Sequence, residues 1–381
     1  MTKNILILGA GFGGLQAATR LREELGDRCK ITLIDKNDFF IIGFSKFDVM
    51  FGRRSVNAVK SYYRNIAAKG VDFVQDTIEQ IDPVAKMVKT RTGSFGYDFL
   101  IVALGADMAL QSIPGFSEGG HEFYTLAGAE KLYPIITNFQ SGTVLISIFG
   151  KPYKCPPAPY EGALQLHDFF TEKGVRDKVT LKMLIPSPTA LPVAKNVSAE
   201  LEKRMAQSNI ELHKKQKVVE IKPGQKVAVT EGGARVNFDL FVGVPLHVPP
   251  QAVRESKLSN GGWIAVNPEN LETKFENVYA VGDVNNIPVG DFAVPKAGTF
   301  AEAAADVVVD DIVNKLTGST RPVRFGGKGT CYIEFGGGNV AALNADFLGA
   351  QEPNVGLDGP SVSLRADKAR FESERIAKWF K

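Results

Sequence analysis

The stretch that decides the fold is Asn4-Ile-Leu-Ile-Leu-Gly-Ala-Gly-Phe-Gly-Gly14. Its apolar run, Ile5 to Leu8, is typical of a buried parallel strand. The strand breaks at Gly9-x-Gly11-x-x-Gly14, after which the chain is expected to continue as a helix. In this pattern Gly9 allows a tight turn, Gly11 lets the backbone approach a pyrophosphate, and Gly14 lets the helix pack on the strand. The diphosphate of a dinucleotide would lie at the positive N-terminus of that helix.

A second strand supports this interpretation. The apolar segment Lys30 to Ile34 ends at Asp35, about 20 residues past the glycines, where a carboxylate is suited to bind ribose hydroxyls. Gly13, within the glycine turn, and Lys36, next to Asp35, are counted with the candidate cofactor-binding residues. The sequence therefore predicts a dinucleotide site at its N-terminus.

Composition limits the classes of function. A chain of 381 residues predicts two or three domains, and 44% hydrophobic with 23% charged residues is ordinary for a soluble globular protein. The net charge of +3, without a Lys/Arg block, argues against nucleic-acid binding. No apolar run reaches the length of a spanning helix, and a strand beginning by Asn4 leaves no room for a signal peptide. The expected location is the cytoplasm or the cytoplasmic face of a membrane.

The three cysteines, Cys29, Cys155 and Cys331, form neither a disulfide framework nor a zinc pattern. The four histidines also lack metal-ligand spacing, so no metal site is predicted. Any function of the cysteines should therefore be redox or catalytic. For Cys29, a thiol without a role is favoured.

The order of elements suggests an internal duplication. An apolar strand at Tyr97 to Gly105 is followed by a polar connection, and a second strand-turn-helix unit begins at Gly142. After Leu240 to Val244 the first domain is expected to resume with Val278-Tyr-Ala-Val-Gly-Asp283. The predicted domains are 1–110 with 249–318, then 111–248, then a C-terminal region at 319–381.

Three segments now occur in the order found in a known family: Gly9 to Asp35, Val102 to Ala106, and Val278 to Asp283. On these segments the chain resembles the glutathione-reductase-like FAD proteins along nearly its whole length. The resemblance implies an α/β fold with two Rossmann-like (FAD/NAD(P)-binding) domains and a small C-terminal region. It also implies FAD bound by the first domain, with the cofactor close to Ala103 and Gly105. Gly282 and Asp283 would then bind its ribityl and phosphate region.

The second domain lacks the corresponding glycine pattern. The turn after Phe149 reads Gly150-Lys-Pro-Tyr-Lys-Cys155-Pro-Pro-Ala-Pro-Tyr-Glu161, with bulky residues and prolines where a pyrophosphate needs close backbone approach. The next strand ends in Ile185-Pro-Ser-Pro, without an acidic residue for an NAD ribose. A degenerate NAD-binding-like domain that does not bind NADH in the usual manner is predicted.

The same turn carries a more specific resemblance. Lys154-Cys155-Pro-Pro-x-Pro-Tyr-Glu161 resembles the motif of flavocytochrome c sulfide dehydrogenases and, more loosely, of sulfide:quinone oxidoreductases. Gly329-Thr-Cys331-Tyr resembles the second redox cysteine of that group, and Pro295 to Glu302 its segment after the Gly-Asp pair. The resemblance implies that both cysteines face the flavin and take sulfide sulfur through a disulfide or persulfide. Electrons would pass to a quinone or a c-type cytochrome.

The chain departs from both types. It has no further cysteine between Tyr97 and Cys155, unlike three-cysteine quinone reductases, and no Cys-x-x-Cys-His haem motif. The acceptor is therefore left open.

Candidate catalytic residues follow, each with a plainer alternative. Cys155 precedes a proline-started helix and follows Lys154, so a lowered thiol pKa is expected, the alternative being a small buried hydrophobe. Glu161 is the candidate proton acceptor, or else a solvated helix carboxylate. Lys296 could stabilise an anionic reduced flavin, or else lie on the surface.

The last segment bears on partners. A final helix is expected from Leu364 to Lys381, with a basic face and an apolar end that includes Trp379. Such a helix fits peripheral membrane contact, and equally docking on its own domain or on a homodimer partner.

The function predicted from all of this is an FAD-dependent oxidoreductase that oxidises sulfide, or a related sulfur compound, through Cys155 and Cys331. Two alternatives remain. One is a type-II NADH:quinone dehydrogenase-like flavoenzyme, against which the degenerate second domain argues. The other is a non-catalytic FAD-binding redox or sensor protein.

Overall fold

A computed structural model describes residues 2–350 and 352–381, and its architecture begins with a five-stranded parallel sheet. The strand order is Val278–Ala280, Phe99–Val102, Lys3–Leu8, Cys29–Asp35, Asp72–Gln75. This first sheet therefore takes its strands from two distant parts of the chain. Helices Phe12–Leu25 and Gly298–Thr317 pack on it and on each other.

The second sheet repeats the plan. Its order is Gly120–His121, Leu240–Val244, Gly142–Ile148, Val179–Ile185, Ile210–Lys214, again all parallel. In the first sheet Phe99–Val102 lies beside Lys3–Leu8, and in the second sheet Leu240–Val244 lies beside Gly142–Ile148, so in each case a late strand returns next to an early one. Each sheet also has a three-stranded antiparallel insertion before that return: Ile78–Asp82, Met87–Thr90 and Ser94–Gly96, against Val218–Lys222, Val227–Thr230 and Arg235–Asn237. The predicted α/β fold with two Rossmann-like domains is confirmed.

The remaining elements connect these units. The other long helices are Leu126–Asn138, Ala158–Glu172 and Lys195–Gln207, and the short ones are Ser45–Met50, Phe116–Gly119 and Gln251–Arg254. The described residues also form four short strand pairs: Phe39–Phe40 with Ser61–Tyr62, Asp107–Met108 with His247–Val248, Ile264–Ala265 with Asn285–Asn286, and Pro288–Val289 with Phe292–Ala293.

The segment Tyr63–Lys69 is a 3₁₀ helix, in which residues three apart share a face. Tyr63 and Ile66 have that spacing and are both buried.

The C-terminal region forms a third, antiparallel sheet of Lys328–Gly336, Asn339–Asp346 and Asn354–Ser361. The third strand contains Asp358, Gly359 and Pro360, all poor strand formers, and it was not predicted from the sequence. Pairing with the middle strand forms this strand regardless of its own propensities. The strand that carries Cys331 packs against both Gly298–Thr317 and Ala158–Glu172, so it joins the two domains.

The terminal helix, Leu364–Phe380, is docked on the first domain. Trp379 is fully buried, with its ring edge-on to those of Phe12 and Phe40, and its Nε1 donates to Gln16 Oε1 at 3.0 Å. Phe380 is also buried. Trp379 and Phe380 are therefore enclosed by the chain itself, in line with the alternative of docking on its own domain, and membrane contact through this helix stays a prediction. In the part of the chain described here, no helix combines the length and apolar character needed to cross a bilayer.

Candidate redox and cofactor site

The glycine turn is shaped by close packing at three of its residues. Gly9 has a φ of +94°, and a Cβ there would lie 2.4 Å from the Ala103 carbonyl oxygen. A Cβ on Gly14 would lie 1.8 Å from the Gly9 oxygen, and one on Gly13 would lie 2.9 Å from Val281 Cγ2. Side chains are thus excluded because strand, turn and helix touch directly.

Gly11 and Gly105 differ from these three. Among the described residues, no atom outside the adjoining backbone comes within 4 Å of a Cβ built at either position. Gly11 is also the N-cap of helix Phe12–Leu25, whose first turn carries no acidic residue and no side-chain cap. Free backbone N–H groups therefore face open space, as a phosphate group requires. These residues fit the diphosphate of FAD.

The two carboxylates expected at the cofactor have different surroundings. Asp35 Oδ2 accepts from the Ala10 N–H at 2.7 Å, and Oδ1 accepts from the Asn37 N–H at 2.8 Å, so the carboxylate is oriented at its strand end. Burial raises the pKa of Asp283, and the charges of Lys154 and Lys296 oppose this rise. Both positions suit hydroxyl groups of a bound dinucleotide. The side chain of Lys36 is largely exposed, with its Nζ 3.8 Å from Asp107 Oδ1.

We expect Gly11→Ala to lower the affinity for FAD by about tenfold or more, because the added methyl group enters the space left for the phosphate. The apoprotein should keep its stability, since no protein atom is displaced. Titration of apoprotein with FAD, followed by flavin fluorescence, measures the affinity, and thermal unfolding of the apoprotein provides the control. Unchanged affinity would contradict this placement of the phosphate.

Lys296 lies inside the molecule, contrary to the surface alternative. Its Nζ donates to the carbonyl oxygens of Asp283 at 2.5 Å and Asn285 at 3.0 Å, and it lies 3.5 Å from the ring centroid of Trp263. Burial lowers the pKa of this ammonium to about 8. Lys296 thus holds the segment that contains Asp283 and Asn285 in place through two backbone carbonyl groups.

The turn that carries Cys155 is tied to the first domain. The Cys155 N–H donates to the Lys296 carbonyl oxygen at 2.7 Å, and its own carbonyl accepts from the Ala158 N–H at 2.9 Å. Its φ of +52° is unusual for a residue with a side chain and matches a constrained turn. The first candidate cysteine is therefore held against the segment that follows Asp283.

Cys331 reaches the same region from the third sheet. Its Sγ lies 3.6 Å from Thr299 Oγ1, at the start of helix Gly298–Thr317. Cys331 is close enough to Cys155 that its charge raises the pKa of that thiol. Both thiols are free, as is Cys29, which is buried within its strand.

The expected lowering of the Cys155 pKa is wrong. Burial raises the pKa of this thiol well above its usual value, and the charges of Cys331 and Glu161 raise it further, against a smaller effect of Lys46. The charge of Lys154 acts instead on Asp283 and Lys46. Burial also raises the pKa of Cys331. Any lowering of the thiol pKa by the helix N-terminus is thus smaller than the rise caused by the loss of water around the sulfur.

Glu161 lies near enough to both cysteines that its charge raises the pKa of each thiol, and it is 2% exposed, so the solvated alternative is wrong. Its Oε1 accepts from the Glu334 N–H at 3.1 Å and lies 3.6 Å from Lys368 Nζ. Burial is the main cause that raises its pKa, to about 7, against the charge of Lys368. A carboxyl group with such a pKa can take up and release protons near neutral pH.

Several residues of this pocket carried no signal in the sequence. Lys368 was only one of several cations on the terminal helix, Glu334 belonged to no motif, and Thr299 lay in the segment Pro295 to Glu302 without a role of its own. Trp263, whose ring contacts the Lys296 ammonium group, also belonged to no sequence motif. Each reaches the site through a contact between elements far apart in the chain.

The second-domain turn is filled by protein. Phe149 and Tyr153 are buried there, and a Cβ on Gly150 would lie 2.8 Å from Leu246 Cδ2. The turn therefore lacks the open glycine surface seen at Gly11.

Comparison with known proteins agrees with this geometry. The profile of the family described as "Pyridine nucleotide-disulphide oxidoreductase" matches residues 3–139 and 161–305. The chain belongs to this family. The membership confirms the family that the sequence resembles. It also confirms FAD as the cofactor, which the glycine turn fits.

Individual relatives are more specific. The chain is 25% identical over 365 residues to the mitochondrial sulfide:quinone oxidoreductase of Mus musculus, covering 90% of this chain and 78% of that protein. It is 24% identical over 361 residues to a type II NADH:quinone oxidoreductase of Staphylococcus aureus, covering 86% of each. Among solved structures, the sulfide:quinone oxidoreductase of Aquifex aeolicus superposes with a TM-score of 0.88 at 22% identity, covering 99% of this chain and 91% of that chain. That superposition shows a shared fold.

Proposed function

We propose that this protein is an FAD-dependent oxidoreductase that oxidises sulfide and passes the electrons to a quinone. The observation that carries the proposal is the proximity of two half-buried thiols, Cys155 and Cys331, to the buried carboxyl group of Glu161, with the Cys155 turn bonded to the segment after Asp283. The sulfide:quinone oxidoreductases among the relatives of this chain support the choice of donor and acceptor.

The reaction begins with the cysteines. Hydrosulfide attacks one sulfur of a Cys155–Cys331 disulfide, so that a new S–S bond forms on that cysteine as a persulfide and the other leaves as a thiolate. The incoming sulfur carries an S–H proton, in hydrogen sulfide before the attack and in the persulfide after it, and a proton acceptor beside the two cysteines would remove it. Glu161 takes this role, since its pKa of about 7 allows it to exchange protons near neutral pH.

The first domain holds the cofactor for this reaction. FAD supplies a two-electron acceptor that a quinone can reoxidise. The turn at Gly9 to Gly14 would receive its diphosphate, while Asp35 and Asp283 would accept hydrogen bonds from its hydroxyl groups. Lys296 fixes the segment at Asp283 and Asn285 through their carbonyl oxygens.

The competing function is NADH oxidation, because type II NADH:quinone oxidoreductases are also relatives of this chain. Such a role would require a second dinucleotide site. The turn after Phe149 is instead filled by buried side chains, and the strand Val179–Ile185 ends without a carboxylate. Sulfide is therefore the better-supported donor.

Partners other than the quinone stay predictions. A c-type cytochrome was the alternative acceptor, and the relatives favour the quinone. The predicted homodimer is retained as a proposal. Attachment at the cytoplasmic face of a membrane is also a proposal, and it would have to use residues other than Trp379, whose side chain is fully buried. The predicted domain limits also stand as proposals, in line with the two sheets described above.

Anaerobic absorbance of the bound flavin provides the test. We expect sulfide to bleach the flavin band within the time of mixing, NADH to leave it unchanged in a parallel cell, and a soluble quinone analogue to restore it. Bleaching by NADH alone would overturn the proposal in favour of the NADH dehydrogenase, and no bleaching by either reagent would favour a non-catalytic flavoprotein.

A further inference from the structure

Lys368 is a buried cation on the terminal helix, with 8% of its surface exposed. Its Nζ lies 2.5 Å from Glu334 Oε1 and 3.6 Å from Glu161 Oε1. It also lies 4.6 Å from the ring centroid of Phe44. Lysine is almost never buried unless it is paired, so this side chain is held by its two carboxylates.

The pairing is unequal. Glu334 has a second cation, because its Oε2 lies 3.1 Å from Arg53 Nη1, and Arg53 also bonds Asp48 at 3.2 Å. Glu161 is not bonded by Arg53, and Lys368 is the cation whose charge lowers its pKa. Lys368 and then Arg53 lower the pKa of Glu334, so Glu334 keeps one cation if Lys368 is removed, while the charge of Glu161 depends on Lys368.

Among the described residues, two other effects oppose the ionisation of Glu161, while the Glu334 N–H favours it and the cations Lys46 and Arg375 act on the thiols. The carboxylate of Glu334 raises its pKa from the third sheet, and burial raises it more. The thiols of Cys155 and Cys331 are each influenced by the charge of Glu161, so a thiolate at either position would in turn disfavour the carboxylate.

The terminal helix is itself firmly held, which keeps Lys368 in position. Glu372 pairs with Arg54 at 2.8 Å, Arg375 pairs with Glu302 at 2.7 Å, and Trp379 is enclosed in the first domain. These contacts tie the helix to three separate parts of the chain.

We infer that Lys368 is a positioning residue that keeps Glu161 ionised beside Cys155 and Cys331, so that the terminal helix completes the redox pocket. The inference rests on the proposed function for the role given to Glu161 as proton acceptor. It assigns to the terminal helix a part in the chemistry, in addition to its part in stability.

The pH dependence follows from the sign of the interaction. Glu161 accepts a proton only when ionised, so the rate should fall as the pH drops through its pKa of about 7. Lys368→Met removes the charge that lowers this pKa, and the acidic limb of the sulfide-to-quinone profile should move upward by about one pH unit or more. Lys368→Arg should keep the limb in place. Lys378→Met provides the matched control, because this lysine is exposed on the same helix.

A second measurement does not depend on turnover. In the reduced protein, the alkylation rates of Cys155 and Cys331 by iodoacetamide can be followed by mass spectrometry just above neutral pH. We expect Lys368→Met to accelerate alkylation by roughly threefold, because a neutral Glu161 no longer raises the pKa of the thiols. Glu161→Gln should have the same effect, and adding Lys368→Met to it should change nothing more.

The outcomes separate the two ideas. An unmoved acidic limb in Lys368→Met, or an equal effect of Lys368→Met with and without Glu161, would overturn the inference. If sulfide fails to reduce the wild-type flavin while alkylation behaves as expected, the proposed function fails and the coupling of Lys368 to Glu161 stands.

Discussion

Cys155→Ser is expected to reduce the rate of flavin reduction by sulfide by roughly 1,000-fold or more, because a hydroxyl group can form neither the disulfide nor the persulfide. Cys331→Ser should cause a loss of the same order, since each sulfur is the partner of the other. Stopped-flow absorbance under anaerobic conditions measures both rates.

The third cysteine provides the control for this pair. Cys29 is buried in the strand Cys29–Asp35 of the first sheet, so Cys29→Ser should leave the rate of sulfide reduction unchanged once FAD loading is matched. Retention of the wild-type rate in Cys155→Ser or Cys331→Ser would show that sulfur does not pass through these residues. Such a result would support the alternative of a non-catalytic FAD-binding redox or sensor protein.

Trp379→Ala should lower the free energy of unfolding by about 3–5 kcal/mol, the usual cost of deleting a large buried aromatic side chain. The indole is fully buried among Phe12 and Phe40, and its N–H bond to Gln16 would also be lost. Urea unfolding of the FAD-loaded protein measures the change.

Trp379→Phe separates packing from the hydrogen bond. It keeps most of the ring contacts and should cost less than half as much, mainly the lost bond to Gln16. A change below about 1 kcal/mol in Trp379→Ala would show that the end of the helix is not held on the first domain. Binding of lipid vesicles that depended on Trp379 would contradict the docked position in the same way.

The two effects concern different parts of one arrangement. The cysteines come from the second-domain turn and the third sheet, whereas Trp379 anchors the helix that carries Lys368. Loss of Trp379 should therefore affect stability first, and the chemistry only where the helix is released.

Local features of the sequence determined much of the result. The glycine turn predicted strand, turn and helix because Gly9 and Gly14 meet neighbouring backbone within the same motif. Apolar strands and the helices between them also followed from periodicity, and the two halves repeat the same plan. The family resemblance brought Cys155 and Cys331 into one hypothesis, although they are distant in the chain.

Tertiary structure decided what those residues experience. The helix start near Cys155 predicted a lowered thiol pKa, yet enclosure by other elements raises it, because desolvation acts over the whole surroundings of the sulfur. The same enclosure brings the pKa of Glu161 to about 7. The partner that limits this rise, Lys368, approaches from the far end of the chain.

The terminal helix shows the same division. Its amphipathic pattern predicted an apolar face but could not say whether that face meets a membrane, a partner or its own domain, since all three are apolar. Contacts with Phe12, Phe40 and Gln16 show that its aromatic end packs on the first domain. By itself the sequence determined most of the elements and the FAD cofactor, and it predicted that Cys155 and Cys331 act together. Only the folded chain determined which charges are buried, and beside which partners, because burial and long-range pairing depend on all the elements at once.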